Sequence, residues 1–211
     1  MKKNKRTSKI KRKTSETEIT GLLALEGDGR TEIKTGIGFL DHMLTLFAFH
    51  GLFDLTLEAK GDLDVDMHHT NEDIAICLGK ALKDALGDCV GIRRYGSAEV
   101  PMDLARAKIA IDIGGRDAYS GIKFVNRQIP PEPSSIYTET EGKRYSLADG
   151  NDFFETFAKS ARINLHAEVS SGEDAHHILE ALFKALGIAL DQATQIDPRR
   201  KGVPSTKGVI D

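Results

Sequence analysis

One five-residue pattern occurs twice in this chain: His68-His69-Thr70-Asn71-Glu72 and His176-His177-Ile178-Leu179-Glu180. Both copies read His-His-x-x-Glu and both run into apolar helical sequence, Ile74 to Leu82 and Ala181 to Leu186. Four of the chain's 7 histidines sit in these two places. On a helix, residues four apart share a face with Cβ atoms roughly 5–6 Å apart. His68 with Glu72, and His176 with Glu180, are therefore spaced to grip one ion each. His69 and His177 point about 100° away around the helix, so they are expected to serve a different ion from their neighbours. Taken alone, each motif also fits a helix start where the dipole favours Glu. Two copies in one chain are better explained by a shared chelating role.

Imidazole and carboxylate donors without cysteine suit Mn, Fe, Zn or Ni and disfavour soft-metal sites. Cys77 and Cys89 are not in CxxC spacing, and no apolar stretch approaches the length of a membrane span. Together with the lack of a secretory apolar region, this leads us to expect a cytoplasmic protein with no membrane partner. Residues 2–13 carry a run of Lys and Arg, yet the chain's formal charge is −3. The remainder is thus net acidic, and no nucleic-acid partner is expected. We read residues 1–13 as a basic, solvated N-terminal tail.

Along the chain, strands are expected at 17–26 and 31–35, a helix at 39–50, a strand at 52–59 and a helix from His68 to about Leu86. The second part repeats this order. Strands are expected at 94–100, 105–113 and 119–125, a helix at 152–161, a strand at 163–169, and a helix from the second motif to about Gln195. Residues 126–149, rich in proline and polar groups, read as an irregular excursion. Aligning the two motifs, with two residues of loop difference, lays Phe47-Ala48 over Phe157-Ala158 and His42 over Asp152. The chain reads as an internal duplication, 14–92 and 93–211, within one structural domain. The fold class expected is α/β (α+β), with helices packed together and covered by sheets. By the internal symmetry, His42 and Asp152 become corresponding ligands. One site would hold His42, His69, His176 and Glu180; the other would hold His68, Glu72, Asp152 and His177.

Several stretches resemble imidazoleglycerol-phosphate dehydratases. They are Gly38-Phe39-Leu40-Asp41-His42-Met43-Leu44, His50-Gly51-Leu52-Phe53-Asp54, His68-His69-Thr70-Asn71-Glu72-Asp73, Gly114-Gly115-Arg116, His176 to Ala185, and Pro204-Ser205-Thr206-Lys207-Gly208. The resemblance covers nearly the whole chain in order. It implies a helix layer between two mixed β-sheets, two Mn²⁺ ions per subunit (other divalent first-row metals being competent), and a homo-oligomer of twenty-four subunits that share active sites. It also implies a lyase of histidine biosynthesis, converting D-erythro-imidazoleglycerol phosphate to imidazole acetol phosphate with the substrate's imidazolate held between the two ions. In that scheme Glu16 is the candidate acid/base and substrate contact. Arg94, Arg116, Lys184, Ser205, Thr206 and Lys207 match substrate- and phosphate-contacting positions. Lys184 has separate support, lying four residues after Glu180 on the same helix face. His50 and His166 read as structural.

The chain departs from the family at two places. Asp152 stands where His is usual, which implies altered metal affinity, and Leu104 stands where Glu is common. These departures leave open a non-catalytic, metal-stabilised relative; a dinuclear metal hydrolase, which needs ions about 3.5–4 Å apart, is a separate alternative.

Overall fold

Alternation of buried and exposed side chains shapes the first strands, as a sheet with one face on a core and one in water requires. The computed structural model describes residues 6–125, 137–140 and 143–210. In chain order its elements are β1 (Thr7–Lys13), β2 (Thr17–Ala24), β3 (Thr31–Lys34), α1 (Gly38–His50), β4 (Asp54–Gly61) and α2 (His68–Leu86). These are followed by β5 (Tyr95–Met102), β6 (Ala105–Asp112), β7 (Ile122–Phe124), β8 (Tyr137–Thr140), β9 (Lys143–Ser146), α3 (Leu147–Ala161), β10 (Asn164–Ser171) and α4 (Ala175–Thr194).

The duplication is visible in the sheets. One runs β1-β2-β4-β3 and the other β5-β6-β10-β7. In each, the first two pairings are antiparallel and the last is parallel. The α2 helix covers β1 and β2, α4 covers β5 and β6, and the helices meet one another as α1 on α4 and α2 on α3. Sheets thus form the outer layers and helices the inner one. The centre is aromatic: Phe153 and Phe154 lie 5.2 and 4.9 Å from Phe183, and Phe47 lies 6.4 Å from Phe157. Burying each such side chain contributes roughly 1.5–3 kcal/mol.

The helix pairs cross at matching glycines. A Cβ on Gly79 of α2 would stand 2.7 Å from the Phe157 carbonyl oxygen of α3. One on Gly187 of α4 would stand 2.3 Å from the Phe47 carbonyl oxygen of α1. Backbones this close exclude any side chain, and both helices carry the glycine at the same distance from their His-His-x-x-Glu motif.

Two expectations are corrected. Residues 7–13 are not a solvated tail but the edge strand β1, paired along its whole length with β2. Ile10 enters the core, and Arg12 and Arg6 reach Asp73 and Glu26, while Lys9 and Lys11 stay exposed. Lysine on an edge strand discourages pairing with other chains, so the basic run conceals a strand. Residues 1–5 lie outside the described residues. Within 126–149, residues 126–136 and 141–142 also lie outside them, but 137–140 and 143–146 form an antiparallel hairpin. The next helix begins at Leu147 rather than 152, because Ser146 and Asp149 close a capping box. Among the described residues no helix is long and apolar enough to cross a membrane.

Candidate metal centre and phosphate-binding residues

Three helix starts carry the histidines, and a carboxylate braces each. Asp66 Oδ1 accepts the His68 N–H at 2.7 Å, and Asp174 Oδ1 accepts the His177 N–H at 3.1 Å. Both stand two residues before their motif, where negative charge also complements the helix dipole. In α1, Asp41 Oδ1 accepts the Thr35 N–H at 2.8 Å and the Thr35 hydroxyl as well. Burial raises the Asp41 pKa against those hydrogen bonds.

The first set gathers around Glu180. Its Oε1 lies 2.9 Å from His42 Nε2 and 3.0 Å from His176 Nε2, and Lys184 Nζ donates to its Oε2 at 2.7 Å. Donor atoms of His42, His176 and Glu180 all lie within 4.8 Å of one another, and no other such group of three occurs among the described residues. Glu180 is 6% exposed. Burial alone would raise its pKa, but hydrogen bonds from Lys184, His42 and His176 and the lysine charge hold it down to about 2. A fixed carboxylate with two imidazole nitrogens fits a divalent first-row cation.

The second set is more open. His68 Nε2 lies 4.0 Å from Glu72 Oε2, while His68 Nδ1 lies 4.0 Å from Asp152 Oδ2. The two carboxylates therefore face different ring nitrogens, and one ion can be shared by all three only after these side chains rearrange. These residues line a cleft of about 510 Å³ between α2 and α3.

Within one chain, each expected set of four is brought together only as three. His69 is held by Asp62, whose Oδ2 lies 2.9 Å from Nδ1. That hydrogen bond raises the His69 pKa against slight desolvation, and Glu16 adds to the effect. His177 Nε2 lies 3.4 Å from Asp103 Oδ2. The helical period accounts for this, since neighbouring residues on α2 and α4 cannot face the same point.

Glu16 is exposed on the β1–β2 turn, and its carbonyl accepts the Asp62 N–H at 3.1 Å. The β5–β6 turn, its counterpart in the second half, carries Leu104, 88% exposed.

The phosphate candidates divide. Arg94 donates from Nε and Nη2 to Asp112 at 2.6 and 3.0 Å, and from Nη1 to the Pro204 carbonyl at 2.9 Å. This brings the Ser205-Thr206-Lys207 turn beside Arg94. The exposed Arg116 lies two residues after Gly114, where a Cβ would stand 3.4 Å from Arg94 Nη2. Lys184 is elsewhere, with Glu180. The Arg94 N–H bonds the Ala193 carbonyl near the C-terminal end of α4, whereas His176 opens that helix. At 1.5 Å per residue the two ends are roughly 25 Å apart. Burial and the nearby Lys184 charge lower the His50 pKa, and His166 is exposed on β10.

Three supporting contacts join residues of the first motif stretch to side chains that the sequence pattern does not single out. One is Asp62 on His69. Another is the pair formed by Arg12 and the Thr17 hydroxyl on Asp73, whose pKa they lower although burial opposes this. The third is the fully buried Tyr145, whose hydroxyl donates to Asn71 Oδ1 at 2.8 Å. Asp73 alone left a local signal, since it lies four residues after His69 on one helix face.

A family model described as imidazoleglycerol-phosphate dehydratase matches residues 35–190. The imidazoleglycerol-phosphate dehydratase of Geobacillus kaustophilus is 49% identical over 205 residues, covering 97% of this chain and 99% of the relative. That of Halalkalibacterium halodurans is 50% identical over 205 residues, covering 97% and 100%. The crystal structure of IGPD from Pyrococcus furiosus matches with a TM-score of 0.74 at 37% identity, covering 95% of this chain and 99% of that one. The imidazoleglycerol-phosphate dehydratase structure from Staphylococcus aureus matches at 0.73 and 31%, covering 90% and 99%.

Proposed function

The chain belongs to the imidazoleglycerol-phosphate dehydratase family, and on that premise we propose that its reaction runs in a site with two Mn²⁺ ions, completed by neighbouring subunits. The protein is a hydro-lyase of histidine biosynthesis, dehydrating D-erythro-imidazoleglycerol phosphate to imidazole acetol phosphate.

In this reading His42, His176 and Glu180 hold one ion, with the fourth place taken by His69 from a neighbouring subunit. His68, Glu72 and Asp152 hold the other, with His177 likewise supplied by a neighbour. Bound there, the ions supply Lewis acidity toward the substrate imidazole. Lys184 keeps Glu180 ionised and engages its Oε2, while Oε1 faces His42 and His176. Glu16 moves the proton at the side-chain carbons, a role worth roughly 10²–10⁴-fold. Arg94, Arg116, Ser205, Thr206 and Lys207 hold the phosphate, with the Arg94–Pro204 contact keeping the turn in place. Asp152 is shorter than histidine and makes the second set richer in oxygen, which favours a harder cation.

One observation carries the shared-site reading: the separation along α4. The His42–His176–Glu180 set and the Arg94–Lys207 set lie at opposite ends of a helix of 20 residues. One small ring, three carbons and a phosphate cannot span that length, so ions and phosphate clamp from different subunits must converge. An assembly of twenty-four subunits, as the sequence resemblance implies, provides such neighbours, and no nucleic acid or membrane partner is needed.

The test is turnover of imidazoleglycerol phosphate after metal stripping and Mn²⁺ titration, alongside the mass of the assembly. Wild type is expected to bind two ions per chain and turn over, while Asp152→Ala loses one ion. Co-assembly of inactive His69→Ala and Lys207→Ala subunits should recover activity. Two ions bound without dehydration, or no recovery on co-assembly, overturns the reading.

A further inference from the structure

Among the described residues the Asp62 carboxylate has one side-chain hydrogen-bond partner. Its Oδ2 accepts from His69 Nδ1 at 2.9 Å. Its Oδ1 is buried and has no hydrogen-bond partner. Leaving a carboxylate oxygen buried and unsatisfied costs free energy, so among the described residues the grip on His69 is the contact that explains the charge. Its backbone is fixed as well: the Asp62 N–H bonds the Glu16 carbonyl and the Asp62 carbonyl receives the Val65 N–H at 2.8 Å. The preceding residue sets the distance to α2. A Cβ on Gly61 would stand 1.9 Å from Thr70 Oγ1, so the first turn of α2 lies directly on the end of β4.

We propose that Asp62 is a positioning residue of the metal centre, holding His69 in the tautomer that carries its proton on Nδ1 and presents Nε2 as a bare donor to an ion. An ionised carboxylate can only accept, so the shared proton belongs to Nδ1. A metal-bound histidine typically gives its other N–H to such a carboxylate, which fixes the ring and strengthens the ligand. The device exists in one half of the duplication only. Matching β4 to β10 lays Asp62 over Gly172, which has no side chain to give, and His177 faces Asp103 through Nε2 instead. The inference rests on His69 being a ligand and adds that just one of the two ions depends on this carboxylate.

The test measures Mn²⁺ affinity at both sites by chelator competition in the full-length protein, with the melting temperature of the metal-free form. Asp62→Ala is expected to weaken one ion by about 10–100-fold, as lost carboxylate partners of metal-binding histidines do, and to leave the other ion and the metal-free melting temperature unchanged. Asp62→Asn keeps an acceptor for Nδ1–H and should recover most of the loss. The proposal is overturned if Asp62→Ala leaves both affinities intact, weakens both ions equally, or is matched by Asp62→Asn. His69→Ala separates the ligand role from the positioning role. If it keeps both ions, the ligand assignment itself fails; if it loses one ion that Asp62→Ala does not weaken, the positioning role alone fails.

Discussion

Replacing Lys184 with Met removes the ammonium beside Glu180 and keeps most of the aliphatic stem. Glu180 is held at about 2 against an ordinary 4.5, a displacement worth roughly 3 kcal/mol at 1.36 kcal/mol per unit. Lys184 supplies the largest of the favourable contributions, by a hydrogen bond at 2.7 Å and by its charge. His42 and His176 are partly exposed and admit solvent to the cluster, which screens the interaction. The expected loss in metal-free protein at pH 7 is therefore about 2 kcal/mol, in the range for a hydrogen bond to a charged group. The sign with pH follows from the depressed folded pKa. The stabilisation is complete above the unfolded value near 4.5 and disappears as pH falls toward 2. Urea unfolding of metal-stripped wild type and Lys184→Met, at equal chain concentration and at pH 7, 5 and 3, should show a gap that narrows from pH 5 to 3. Adding Glu180→Gln should abolish most of the lysine's effect in a double-mutant cycle. A penalty below about 0.5 kcal/mol at pH 7, or one that persists unchanged at pH 3, would refute the assignment of this stabilisation to the Lys184–Glu180 pair.

Gly187→Ala places a methyl 2.3 Å from the Phe47 carbonyl oxygen. It should destabilise by about 1–3 kcal/mol, the usual penalty of overpacking, and lower the melting temperature; an unchanged value would mean that α1 and α4 can separate freely. Tyr145→Phe removes one oxygen and leaves the buried Asn71 Oδ1 without its donor. About 1–3 kcal/mol should be lost, together with weaker binding of the ion proposed at the neighbouring Glu72, both readable from urea curves and Mn²⁺ titration.

Much of this protein is written in local spacing. Period-two alternation marks β2 and β4, and the two His-His-x-x-Glu runs mark α2 and α4. Because a helix brings residues four apart together whatever surrounds it, the pairings His68–Glu72, His176–Glu180 and Glu180–Lys184 are legible in residue order alone. So is the duplication, including the correspondence of His42 and Asp152. What spacing cannot carry is any contact made by packing one element on another. The basic run becomes β1 because Ile10 finds the core, and a hairpin with a buried Tyr145 emerges from a stretch that reads as loop. His42 meets Glu180 because α1 and α4 cross at Gly187. Asp62 reaches His69 because Gly61 lets α2 rest on β4. The placement of the His42–His176–Glu180 group and of Arg94 with the 204–207 turn at opposite ends of α4 depends on the tertiary structure in the same way. Residue order sets which donors exist and which share a helical face; only the packing of sheets and helices sets which of them meet across the chain.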